Sequence, residues 1–262
     1  MTKKALQNIV RSVHHRFFSR PLPQKLGIYF HEIESDAFAA VSEMTRAFRD
    51  LGYHFTGDPA EFMASDRPLV FLSIDDNFRT TYELLDLADE LDIRFAVYLN
   101  TLYFRGRDSD DDRSKYLRHL QTQFAGELLS EDEVREIDRR GHTIGAHTHS
   151  HRRLTDLDVN EAQREITECR SKLADVLGAT PHHFSYPFGM RRHFSESLRS
   201  FCAQSGFQTV ANAIPGMQHA APQALAIQRS GWDLRETVDR NFVNLRIDGR
   251  WYERITGRSA VV

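Results

Sequence analysis

From Pro68 to Ile74 the chain reads Pro-Leu-Val-Phe-Leu-Ser-Ile, apolar at consecutive rather than alternate positions, and runs straight into Asp75-Asp76. A short apolar run of this kind is a strand buried on both faces, the environment of a parallel sheet covered by helices. From Phe78 to Leu91 the spacing changes, with Thr81, Leu84, Leu85, Leu87, Ala88 and Leu91 recurring at a helical period. The two aspartates therefore sit where a strand gives way to a helix, and in parallel α/β architectures ligands collect at the carboxyl ends of strands. Successive strand residues face opposite sides. Two aspartates inside the strand would diverge, whereas at its frayed end they can converge on one ion with separate tasks.

A second short run leads into His147-Thr148-His149-Ser150-His151, with His147 and His151 four residues apart. One aspartate oxygen and two imidazole nitrogens form a three-ligand set that leaves room for a water, as a catalytic zinc-type site requires. The other aspartate is then free to act as a base. Taken singly, an Asp-Asp pair is most often a solvated turn or a helix N-cap, and a histidine-rich stretch is most often an exposed loop. Each placed after a strand-like run, they point together to a metal-dependent hydrolase.

Strand-like and helix-like stretches alternate along the rest of the chain. Leu26 to Ile33 reads as a strand and Ala37 to Leu51 as a helix; Ile93 to Leu99 is a strand, followed by an acidic stretch, Arg105 to Lys115, expected to be an exposed loop. Ser130 and Glu133 form a capping box at the start of a helix ending at Gly141. Residues 158–177 form a helix, His182 to Tyr186 a strand, Phe194 to Gln204 a helix, Phe207 to Ala211 and Leu225 to Arg229 strands, and Asp233 to Leu245 a last helix. The alternation implies a wound barrel or an open parallel sheet.

With 262 residues, 40% of them hydrophobic, the chain can bury one large core. A net charge of −3 argues against nucleic acid as a partner, and two cysteines give no disulfide framework and fit a reducing compartment. There is no secretory signal and no run long enough to span a bilayer, so the expected location is the cytoplasm. Residues 1–25 mix Lys3, Lys4, Arg11, Arg16, Arg20 and Lys25 with Leu6, Ile9, Val10, Val13, Phe17 and Phe18. That pattern suits a basic amphipathic helix, lying on an anionic membrane surface or packed on the domain.

The motifs resemble those of the polysaccharide deacetylase superfamily, carbohydrate esterase family 4, over about residues 26–232. The family's Thr-Phe-Asp-Asp-Gly corresponds to Ser73-Ile74-Asp75-Asp76-Asn77, and its His-Ser/Thr-x-x-His to residues 147–151, led in by Gly141-His142-Thr143-Ile144-Gly145-Ala146. Its aromatic-proline turn stands as Phe184-Ser185-Tyr186-Pro187-Phe188-Gly189. The resemblance implies a distorted (β/α)7 barrel forming a single catalytic domain over residues 26–262. It implies Asp75 as general base, and Asp76, His147 and His151 as ligands of a divalent metal, zinc first, with nickel and cobalt as alternatives. It also implies the Phe188 N–H as an oxyanion donor within the substrate-binding turn Tyr186-Pro187-Phe188. Arg229 is then either the group that orients Asp75 or a surface salt-bridge partner. His149, at a variable family position, and His142 are expected to be side chains behind or beside the site.

Three departures from the family pattern carry information. Asn77 replaces the motif glycine, and because Asn tolerates left-handed backbone the turn is expected to survive. Ser185 stands where the family carries arginine, and no Leu-x-His motif follows, so the usual catalytic acid is missing. The run Leu26-Gly27-Ile28-Tyr29-Phe30-His31 resembles the opening of the circularly permuted poly-N-acetylglucosamine deacetylases, which implies His31 as the acid, against the plainer reading of a core histidine. The implied activity is metal-dependent hydrolysis of the acetamide of an N-acetylated sugar or glycan. An amide hydrolase of the same fold acting on a small non-carbohydrate metabolite would keep the same ligands and is the alternative. A non-catalytic carbohydrate-binding relative would have lost the base or a ligand, and all four residues are present.

Overall fold

The computed structural model describes residues 20–250, apart from 34–36, 123, 215, 217 and 220, so most of the basic N-terminal segment lies outside the described residues. In chain order the elements are β1 (Lys25–Phe30), α1 (Phe38–Asp50), β2 (His54–Thr56), α2 (Pro59–Ala64), β3 (Leu69–Asp75), α3 (Thr80–Glu83), α4 (Leu85–Glu90) and β4 (Ala96–Leu99). They continue with α5 (Asp110–Leu120), α6 (Glu131–Arg139), β5 (Thr143–Ala146), α7 (Val159–Leu177), β6 (His183–Ser185), α8 (Glu196–Gln204), β7 (Thr209–Ala211), β8 (Ser230–Gly231) and α9 (Val238–Leu245). No helix among the described residues is long and apolar enough to cross a membrane.

Every pairing between these strands is parallel, in the order β7-β6-β5-β4-β3-β1-β8. β2 pairs with the first half of β3 (His54 to Leu69) and β4 with the second half (Ala96 to Ser73). The sheet curls until its ends meet. Ile227 exchanges backbone hydrogen bonds with β7 at Val210 and Asn212, and a few residues later Ser230 and Gly231 pair with Ile28 and Tyr29 of β1. The segment 227–231 thus closes a distorted (β/α) barrel. Its first residues form an isolated bridge rather than the regular strand expected over Leu225 to Arg229, because each half pairs with a different neighbour. Closure requires Gly27, since a Cβ there would stand 2.2 Å from the Gln228 carbonyl oxygen.

The two-residue side-chain period of a strand sorts residues between the outer helical layer and the barrel interior. Val70, Leu72 and Ile74 of β3 join the large core shared with the helices, while Leu69 and Phe71 pack inside with Ala96, Tyr98, Ala211 and Ile227. By the same alternation Ser73 and Asp75 point inward above them. On β1 the outward set is Leu26, Ile28 and Phe30, which leaves Gly27, Tyr29 and His31 for the interior and its mouth.

The acidic stretch is a loop only as far as Ser109. Its second half is α5, started by a capping box in which Ser109 and Asp112 bond each other's backbone N–H, with three aspartates in the first turn where the helix dipole favours them. Tyr116 anchors this helix to the barrel as a buried side chain. The helix expected over 78–91 is divided at Leu84, and the short elements β2 and α2 are too brief to leave a periodic signal.

Candidate active site

The carboxyl ends of β3 and β5 carry the aspartates and histidines to one point. Asp75 is the last residue of β3 and points inward; Asp76 follows with φ of 75°, and this left-handed turn brings its carboxylate to the same side. The left-handed residue is therefore Asp76 rather than Asn77. Asn77 is fully buried and acts through its amide, which donates to the carbonyls of Asn100 (2.8 Å) and Tyr103 (3.1 Å). Among the described non-glycine residues six have positive φ, and four of them, Asp76, Thr148 (69°), His151 (59°) and Phe188 (64°), stand in or beside this site. Backbone held in sparsely populated regions concentrates where geometry is over-determined, and here it follows three separate strands.

Asp76, His147 and His151 each offer a ligand atom within 4.8 Å of the others, and all three residues are buried. Asp76 Oδ1 lies 3.8 Å from His147 Nε2 and 3.5 Å from His151 Nε2, and has no hydrogen-bond partner among the described residues. His147 Nδ1 donates to the Ser185 carbonyl at 2.8 Å and His151 Nδ1 to the His119 carbonyl at 3.4 Å, which turns both Nε2 lone pairs inward. Burial lowers both imidazoles, His147 to about 4 and His151 well below its ordinary value, so both are neutral at pH 7. Burial and the neighbouring Asp75 charge push the Asp76 carboxyl up. An orphaned carboxylate oxygen facing two neutral imidazole nitrogens is a donor set that a divalent cation fits.

Asp75 is held differently. Arg229, completely buried, donates Nη1 to Oδ1 at 2.7 Å and Nη2 to Oδ2 at 2.9 Å. The same guanidinium donates to Ser73 Oγ (2.9 Å), Ser185 Oγ (2.6 Å) and the Asn212 carbonyl (3.1 Å), with the rings of Tyr29 and Tyr98 about it at 4.9 and 5.0 Å. It is not a surface salt-bridge partner. The small Ser185 side chain leaves room for it. Burial alone would raise the Asp75 carboxyl, but the Arg229 charge, aided by His147, outweighs it and holds the group at about 2.

These groups open into a cleft of about 870 Å³, lined also by His31, Phe188, Arg153, His193 and Trp232. His31 is a solvent-accessible residue at the cleft wall, edge-on to Tyr29 with centroids 5.4 Å apart; partial desolvation by the protein around it lowers its pKa, opposed by the Asp75 charge. Phe188 packs between His151 (5.1 Å) and His193 (5.6 Å), under the Arg153 guanidinium at 5.0 Å. Tyr186 and Pro187 do not line the cleft. Strand alternation turns Tyr186 outward to stack on Phe194 at 4.4 Å, so of the aromatic-proline turn only Phe188 and Gly189 reach it. His149 lies away from the ligand cluster, bonded to Thr101 Oγ1 at 2.9 Å and facing Glu168, while His142 stacks on Phe95.

Several participants had no motif to announce them. Arg153 comes from a loop and His193 from the single 3-10 turn Arg191–His193, and Glu165 of α7 accepts the Ser150 N–H (2.7 Å) and hydroxyl (2.5 Å) to hold the histidine loop. Asn100 could have been found, because it follows β4 at the strand end where ligands and their supports collect.

A model of the polysaccharide deacetylase family matches residues 63–210. Chitin deacetylase 1 of Cryptococcus neoformans var. grubii is 31% identical over 97 residues, 36% of this chain, and the match spans 20% of that protein's length. Among solved structures, the Streptococcus pyogenes deacetylase PplD in complex with acetate superposes with a TM-score of 0.63 at 13% identity, covering 86% of this chain and 99% of that one. The BpsB deacetylase domain of Bordetella bronchiseptica gives 0.61 at 14% identity, covering 82% and 98%.

Proposed function

The chain belongs to the polysaccharide deacetylase family, and from that premise we propose that it is a metal-dependent de-N-acetylase, hydrolysing the acetamide of an N-acetylated sugar or glycan. The observation that carries this reading is the pairing of two unlike aspartates: Asp76, with its unpartnered oxygen facing two neutral histidines, and Asp75, ionised and fixed by Arg229. A divalent ion held by Asp76, His147 and His151 would polarise the acyl oxygen and lower the pKa of the attacking water. Asp75 takes a proton from that water. A carboxylate held at about 2 is a poor match for bulk water, which is why the reading requires the ion. The Phe188 N–H donates to the acyl oxygen as it gains charge. His31, on the β1 side of the cleft, gives its proton to the nitrogen as the C–N bond breaks, releasing acetate and a free amine. The acetate in the PplD structure supports the same product here.

The decisive experiment incubates N-acetylglucosamine oligomers and small amides with enzyme as purified, after chelation, and after reloading with zinc, nickel or cobalt. Acetate release that disappears on chelation and returns with the ion is expected. Ammonia or formate from the small amides, without acetate from the oligomers, would favour the small-metabolite reading. Full turnover by chelated, folded enzyme would remove the metal from the mechanism.

A further inference from the structure

The proposed metal ligands arrive on two loops far apart in sequence, and one buried polar network joins both. Asn77, beside Asp76, donates its side-chain amide to the Asn100 carbonyl (2.8 Å) and accepts the Asn100 N–H (2.9 Å). The Asn100 side-chain amide donates in turn to the carbonyls of His147 and Thr148 (3.1 Å), at the start of the other ligand loop. Tyr116 of α5 locks the pair, its hydroxyl donating to Asn100 Oδ1 (3.0 Å) and accepting the Asn77 N–H (3.2 Å). All three side chains are fully buried. One turn further along α5, the His119 carbonyl accepts His151 Nδ1–H and His119 Nδ1 donates to the Ser150 carbonyl (2.8 Å).

From this geometry we infer that Asn100 and Tyr116 are positioning residues that set the separation of Asp76 from His147 and His151, so that α5 governs how tightly the centre holds its ion. Both loops contain left-handed non-glycine residues, Asp76, Thr148 and His151, which relax unless something holds them. Asn100 supplies both donors and an acceptor at the point where the loops meet. The Tyr116 hydroxyl fixes which way that amide faces, because it must find the carbonyl oxygen and not the NH2. Neither residue reaches the cleft, so neither touches substrate. Their influence passes through the spacing of the ligands.

The inference rests on the metal reading above, and the test separates the two. Zinc affinity is measured on the stripped full chain by competition with a chromophoric chelator for wild type, Tyr116→Phe and Tyr53→Phe. The Tyr53 hydroxyl donates to the Pro23 carbonyl at 2.8 Å, outside the network, so Tyr53→Phe reports the loss of a hydroxyl bond of purely structural consequence. Both variants should unfold at modestly lower temperature than wild type when metal-free, while Tyr116→Phe alone should weaken zinc binding by about 10- to 100-fold. Hydrogen exchange at the Asn77 amide, which loses its acceptor, should quicken only in Tyr116→Phe. Unchanged zinc affinity in Tyr116→Phe, or equal weakening in both variants, overturns the positioning role. Failure of wild type to bind zinc overturns the metal centre itself.

Discussion

Asp75 and Asp76 are chemically identical and adjacent, yet their surroundings drive them apart: one is held ionised by a guanidinium, the other is pushed toward its neutral form by burial and by its neighbour's charge. In the proposed function the ligand role falls to the carboxylate that lacks a cation, and the base role to the one already aimed. Asp75→Asn should therefore retain zinc, measured by metal content, while turnover falls by about 10² or more; loss of zinc at unchanged fold would exchange the two roles. The variant leaves Arg229 buried without its counter-charge, which costs about 3–5 kcal/mol. Because the folded-state pKa of Asp75 is depressed, its stabilisation is fully present above the ordinary value of 3.8 and is lost as pH falls through about 2. In metal-free protein, the stability gap between wild type and Asp75→Asn should close across that window. At His31 the expectation is kinetic: His31→Ala should lower kcat far more than it raises KM, since the proton is delivered only in the transition state. The alkaline limb of the pH profile should vanish with it, and normal turnover would leave the acid unassigned.

At the scale of elements, capping chemistry is the most local signal, and two helices show what it can and cannot announce. The Ser130 and Glu133 box was legible because an apolar helical period follows it, and α6 begins there, with Glu133 also accepting from Arg79 and Arg105 at 2.8 Å each. Ser109 and Asp112 form the same box. The four aspartates between 108 and 112 make that stretch read as solvated, and α5 commits only one fully inward side chain, Tyr116, to the core. The strand ends that carry the candidate ligands were legible from β3 and β5, whose apolar runs stop at the aspartates and just before His147. The turn after Asp76 and the outward face of Tyr186 depend on φ and on strand register, which residue type does not encode. Ser130→Ala should lower stability by about 1 kcal/mol, read as a lower urea midpoint with unchanged slope. An unchanged midpoint would mean that the arginines on Glu133, rather than the cap, hold the start of α6.

On the scale of the whole molecule, barrel closure and active-site order are one event. The segment that seals β7 to β1 also carries Arg229, whose guanidinium reaches Asp75 of β3, Ser185 of β6 and the Asn212 carbonyl past β7. That joining of distant strands could not be read from local pattern, because its hydrogen bonds alternate between two neighbours and its one specific demand is a missing side chain on β1. At Gly27 an added Cβ would lie 2.2 Å from the Gln228 carbonyl oxygen and 3.1 Å from Arg229 Cγ. The oxygen belongs to backbone and cannot swing aside, so the closing segment must move outward and take Arg229 with it. Overpacking of this kind costs about 1–3 kcal/mol, but the larger consequence is for chemistry, where a displacement near 1 Å can cost about 10²-fold. Gly27→Ala, assayed well below its unfolding temperature, should lose activity out of proportion to its loss of stability while retaining zinc, because the proposed ligands follow β3 and β5, neither of which pairs with the closing segment. Wild-type turnover in a folded Gly27→Ala protein would show that closure and the aim of Asp75 are independent.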